Sequence, residues 1–118
     1  MMPAMAMTIP VYLATGPTDM RKSINGLSLE VSEYFDVDIF SRALFAFCNR
    51  NRNLVKVLYW DANSFCLWTK QLQRGCFKWP QEGEDVLYIT SREFGWLLSG
   101  LELKQAEKLP QNNYRKIS

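Results

Sequence analysis

The stretch Cys48–Pro80, CNRNRNLVKVLYWDANSFCLWTKQLQRGCFKWP, constrains this chain more than any other. Side chains on Leu54–Trp60 and on Phe65–Leu72 sort into two sets by alternation, as a β-strand requires, since successive residues point to opposite faces. Before and between these runs stand Arg50-Asn51-Arg52-Asn53 and Asp61-Ala62-Asn63-Ser64, whose Asn and Asp residues accept turn geometry. A meander is the expected result, with strands Leu44–Asn49, Leu54–Trp60 and Phe65–Leu72 and a basic tip on the first hairpin. Arg74-Gly75 then turns the chain into a short Cys76–Trp79 segment, which Pro80 ends.

The flanks supply the rest of a fold. Ile9–Ala14 reads as a first strand that stops at Thr15-Gly16-Pro17. Met20, Ile24, Leu27, Val31 and Tyr34 recur at helical spacing and form one apolar stripe, which predicts a helix capped by Thr18 or Asp19 and running to about Phe35. Gly26 inside that helix implies close packing against a neighbour. Asp36–Arg42 reads as a polar connection interrupted by Val37, Ile39 and Phe40. After the loop Gln81–Glu84, Asp85–Ile89 has the composition of another strand. Thr90 or Ser91 then caps a second helix carrying Phe94, Leu97, Leu98 and Leu101 on one face and closing near Gly100. Residues 1–8 read as a frayed lead-in, 9–103 as one domain and 104–118 as a polar, Pro-broken tail.

The expected fold is therefore a single α+β domain: a mostly antiparallel sheet of about five strands with two helices against one of its faces, side by side. A chain of 118 residues that is 47% hydrophobic can bury such a core without metal or disulfide staples. No run is apolar and continuous enough for a signal or a membrane span, and three cysteines without a CxxC pair suit a reducing compartment, so a cytoplasmic protein is expected.

The formal charge of +2 is unevenly spread. Residues 50–80 hold Arg50, Arg52, Lys56, Lys70, Arg74 and Lys78 against Asp61 alone, whereas the segments on either side are slightly acidic. Local charge of this kind is what a patch for an anionic partner requires. Three of the four Trp residues, Trp60, Trp68 and Trp79, lie in the same stretch. Indoles stack on bases and ammonium groups attract phosphates, so the six cations and three Trp form a candidate nucleic-acid surface. Arg21 and Lys22 oppose the dipole of the first helix and are candidate additional anion contacts.

The chain contains no His, which removes the common Ser–His and Cys–His arrangements and an ordinary zinc site. Cys48, Cys66 and Cys76 sit among strand residues and read as small core groups. Asp19, Asp61 and Asp85 each adjoin a turn or helix start, which gives every one a structural reason. No GxxxxGK[ST] run is present. Neither catalysis, a bound metal nor a cofactor is expected.

GPTDMRKSINGL at Gly16–Leu27, LFAFCNRNRN at Leu44–Asn53 and LYWDANSFCLWTKQLQRGCFKWP at Leu58–Pro80 together resemble the small TnpB accessory protein, the second open reading frame, of bacterial insertion sequences of the sixty-six type. The resemblance runs from about Val11 to Leu103. It implies a non-catalytic protein that assists transposition beside a larger transposase carrying the catalytic acidic residues. Two departures fall in the basic stretch: Lys70-Gln71-Leu72-Gln73 stands where the family usually reads Lys-Arg-Leu-Glu, and Asn63-Ser64 occupies a turn where Gly is common. Two functional expectations follow. In the first, Arg50, Arg52, Lys56, Lys70, Arg74 and Lys78 contact DNA phosphates while Trp60, Trp68 or Trp79 stack or wedge. In the second, the same surface docks the transposase or a second copy of the chain, because Trp, Tyr and Arg also dominate protein interfaces.

Overall fold

A computed structural model describes residues 9–81 and 85–101 together with the backbone of 115–116. In chain order the elements are β1 (Val11–Ala14), α1 (Ile24–Tyr34), β2 (Leu44–Cys48), β3 (Leu54–Asp61), β4 (Ser64–Gln71), β5 (Val86–Ile89), α2 (Ser91–Leu98) and β6 (Arg115–Lys116). They form one sheet in the order β4-β3-β2-β1-β5-β6, in which β1 and β2 run parallel and the other neighbouring pairs antiparallel. The α+β class and the mostly antiparallel sheet are as the sequence indicates. Five strands have four or more residues; β6 adds a two-residue pairing of Arg115 with Tyr88 and Lys116 with Leu87, inside the stretch read as a tail. The lead-in 1–8 and the remainder of 104–118 lie outside the described residues.

The placement of the helices corrects the expectation. Leu44, Ala46 and Cys48 of β2 and Val55, Val57 and Tyr59 of β3 pack with Phe94, Leu97 and Leu98 of α2. Phe45 and Phe47 of β2 and Leu58 of β3 pack instead with Leu27, Val31 and Phe35 of α1. The helices thus cover opposite faces of the sheet. The cause is the central strand: all five residues of β2 are buried, so both of its faces are apolar and each needs a cover. The parallel β1–β2 step carries α1 across one face, leaving the other to α2.

Helix α1 begins at Ile24, with Ser23 at the N-cap position, and not at Thr18 or Asp19. Thr18 is buried with its N–H donating to Cys48 O at 2.8 Å, which holds the chain extended beside β2. The Asp19 carboxylate accepts from Arg21 N at 3.0 Å and is therefore occupied before the helix starts. Close packing at Gly26 is against Lys22: a Cβ there would stand 3.3 Å from Lys22 Cβ. Helix α2 is capped as its sequence indicates, Thr90 Oγ1 accepting from Glu93 N at 3.1 Å and Glu93 Oε1 from Thr90 N at 2.8 Å. No helix among the described residues is long and apolar enough to cross a membrane.

Candidate nucleic-acid interface

One end of the sheet gathers the loop 15–23 after β1, the loop 49–53 between β2 and β3, and the segment 72–81 after β4. Asn49 organises the middle loop. Its Oδ1 accepts from Asn53 N at 3.0 Å and Leu54 N at 3.1 Å, and its Nδ2 donates to Asn53 Oδ1 at 2.8 Å. Arg52 closes the turn with a positive φ of 60°, its N–H donating to Asn49 O at 3.1 Å. The segment after β4 is bonded directly to this loop, Leu72 N to Asn53 O at 2.8 Å and Phe77 N to Arg52 O at 2.6 Å. Two loops distant in sequence thereby become one rim.

Arg50, Arg52, Arg74 and Lys78 are all exposed on this rim. Among the described residues the two ion pairs are Arg21–Asp19 and Lys22–Glu30, and neither involves these four cations. Alternation explains Lys78: Phe77 and Trp79 on either side are buried in the core, which turns the lysine to solvent. Pro17, Thr18, Asp19, Met20, Asn49, Arg50 and Asn51 line an adjoining cleft of about 440 Å³.

The other proposed cations are placed differently. Lys56 is half-buried on the α1 face, its Nζ donating to Met20 O at 2.9 Å. Lys70 is half-buried on the α2 face, its Nζ 3.3 Å from Leu98 O, where a cation suits the negative end of the helix dipole. Both therefore serve the fold with at least one donor. Arg21 is forked on Asp19, Nη2 to Oδ2 at 2.8 Å, and these hydrogen bonds and the adjacent guanidinium charge hold the Asp19 carboxyl well below the usual carboxylate range. Lys22 is paired with Glu30, which answers the unfavourable position of its charge before α1.

The three Trp residues are separated. Trp79 is 3% exposed, with Nε1 donating to Ala14 O at 2.9 Å. This corrects its assignment as a stacking residue: its ring is core and its polar handle is used. Trp68 is half-buried on the α2 face, directly opposite Val57. Trp60 is half-buried on the other face and at the far end of β3, paired with Phe65. Lys56 and Trp60 consequently lie on the α1 face of the sheet and Lys70 and Trp68 on the α2 face, so the four do not share one surface.

At that far end Trp60, Phe65 and Phe40 form a cluster missed in the sequence. Ring centroids are 4.9 Å apart for Phe40–Trp60, 4.8 Å for Trp60–Phe65 and 5.6 Å for Phe40–Phe65. Phe40 is 56% exposed, and with Trp60, Arg42 and Asp61 it lines a cleft of about 450 Å³. Only the fold joins Phe40, in the connection after α1, to the β3–β4 hairpin. Asn49 was also missed, although its spacing from Asn53 across a turn was visible.

Burial pushes the Cys48 thiol up to about 12, the direction of an inert core group. Among the described residues no group of three or more His, Cys, Asp or Glu could hold a metal ion.

The chain is 36% identical to the uncharacterized protein y4hO of Sinorhizobium fredii over 107 residues, covering 91% of this chain and 90% of that one. It is 28% identical over 108 residues to the uncharacterized protein y4jC of the same organism, covering 92% of each. No solved structure matches. The model of the family described as IS66 Orf2 like protein matches residues 9–108, from the start of β1 past the end of α2. The chain therefore belongs to the IS66 Orf2-like family, the accessory proteins of that type of insertion sequence.

Proposed function

We propose that the protein is a non-catalytic accessory factor that contacts DNA during transposition, through the rim formed by the loops 49–53 and 72–81. The observation that carries this reading is the set of four exposed cations, Arg50, Arg52, Arg74 and Lys78, with no ion-pair partner among the described residues. Cations left unpaired on loops held by backbone hydrogen bonds are prearranged for phosphate oxygens. The rim lacks an exposed Trp, so the contact is one of charge with the backbone of the DNA. The cytoplasm is the compartment in which this role is exercised.

The test is binding of the full chain to its element's terminal DNA and to unrelated DNA across a salt series. With four phosphates neutralised the log–log slope is about −3 to −4, and the Arg50→Ala/Arg52→Ala variant flattens it by about 2. Salt-independent binding, or none even at low salt, would overturn the reading. A second reading, docking of the element's transposase, is favoured by the exposed Phe40 beside Trp60 and Arg42 at the opposite end of the sheet. It predicts that Trp60→Ala breaks a complex with the transposase while leaving the salt slope on DNA unchanged.

A further inference from the structure

Strand β4 is the last strand at one side of the sheet, with no strand beyond it among the described residues. Its ladder to β3 runs without interruption from Asp61↔Ser64 to Leu54↔Gln71, so no bulge twists the edge away. It contains no Pro, and Phe65, Cys66, Leu67 and Trp68 are consecutive and only half-buried. Edge strands are ordinarily guarded against pairing by charge, Pro or a bulge. The one charge within β4, Lys70, places its Nζ against Leu98 O at the end of α2.

The backbone phase of this edge is set by Leu72, whose N–H donates inward to Asn53 O. Hydrogen bonding alternates along an antiparallel strand, so the even-numbered residues of β4 bond to β3. Phe65, Leu67, Thr69 and Gln71 hold their N–H and C=O groups outward. Strand-edge charge distinguishes the occupant. Exposed Asp61 lies at the beginning of the β4 hairpin and exposed Arg74 just past the other end. A strand running antiparallel beside β4 and carrying the same charges would set each Asp61 end toward an Arg74 end.

We propose that β4 is the seam of a twofold homodimer, in which the edge strands of two copies pair antiparallel about an axis through Trp68 and join their sheets. In that register Leu67 faces Thr69 of the second copy and Phe65 faces Gln71, using every outward backbone group of the strand. Trp68 meets its own equivalent in a position without direct hydrogen bonds, where side chains approach most closely. An axis perpendicular to the sheet keeps the two α1 helices on one side. The proposal is independent of DNA binding, because it is read from oligomeric state without nucleic acid.

The test is sedimentation of the full chain over a range of concentrations, with Thr69→Pro as the principal variant. Thr69 is exposed and its N–H points away from β3, so Pro removes an outward donor without removing one from the β3–β4 ladder. The expected result is a wild-type dimer whose dissociation constant rises about tenfold or more in Thr69→Pro, two donors being lost per dimer. Arg74→Glu weakens the dimer, and adding Asp61→Lys restores it; this pair carries the test should Thr69→Pro fail to fold. A wild-type monomer at high micromolar concentration, a dimer indifferent to Thr69→Pro and to the charge changes, or an edge filled only by the transposase would overturn the proposal.

Discussion

Single residues carry conformational and ionisation costs that their identities alone do not announce. Ala62 has a φ of 58° in the turn between β3 and β4, a region in which a Cβ is disfavoured by about 1–2 kcal/mol. Ala62→Gly is therefore expected to stabilise the protein by about 0.5–1 kcal/mol after the larger chain entropy of Gly is subtracted, as measured by urea unfolding. The turn itself was legible from Asp61, Asn63 and Ser64; the strained position was not, because φ follows from the register of the two strands. Cys48 offers a second test. Its thiol is raised by burial from an ordinary value near 9 to about 12. Between these values the unfolded chain releases the proton while the folded chain keeps it, so the unfolded state binds fewer protons and stability falls as pH rises. The slope for this one group is about 1.4 kcal/mol per pH unit between about pH 9 and pH 12; below pH 9 both states hold the proton and the contribution is constant, and Cys48→Ala removes the dependence.

Elements show where local chemistry decides and where it yields. The Thr90–Glu93 capping box was readable because both partners lie within one turn, and the helix forms where they place it. Helix α1 starts later than its apolar stripe suggests, since Thr18 bonds to Cys48 across the sheet and Asp19 binds Arg21. The loop 49–53 depends on Asn49, whose carboxamide satisfies two backbone donors and Asn53. Asn49→Ala is expected to cost about 1–2 kcal/mol and to weaken the proposed DNA contact several-fold with every cation still present. Thermal unfolding and a binding titration check the two effects; unchanged affinity would mean that the arrangement of Arg50 and Arg52 does not matter.

At the scale of the whole molecule, the decisive feature is that the sheet is covered on both faces. Phe45 lies in the α1 cluster and Phe94 in the α2 cluster, with the sheet between them. Phe45→Leu and Phe94→Leu are thus expected to add within about 0.5 kcal/mol, whereas a shared core would make them couple. Equilibrium unfolding of the two single variants and the double variant measures this directly. The candidate interface is also a property of the whole: it exists because Phe77 N–H and Leu72 N–H attach the second basic loop to the first.

The five longer strands, the α+β class, the cap of α2 and the concentration of positive charge in residues 50–80 were determined by the sequence alone, because each rests on neighbours within a few positions. Tertiary structure decided which faces the helices cover, that Trp79 is core while Lys56 and Lys70 bond inward to main-chain carbonyls, and which cations meet at one rim. Period-two alternation assigns residues to two faces but does not say what packs on either. A Trp or Lys carries both an apolar body and a polar end, so its role depends on whether a carbonyl from a distant segment arrives to meet that end.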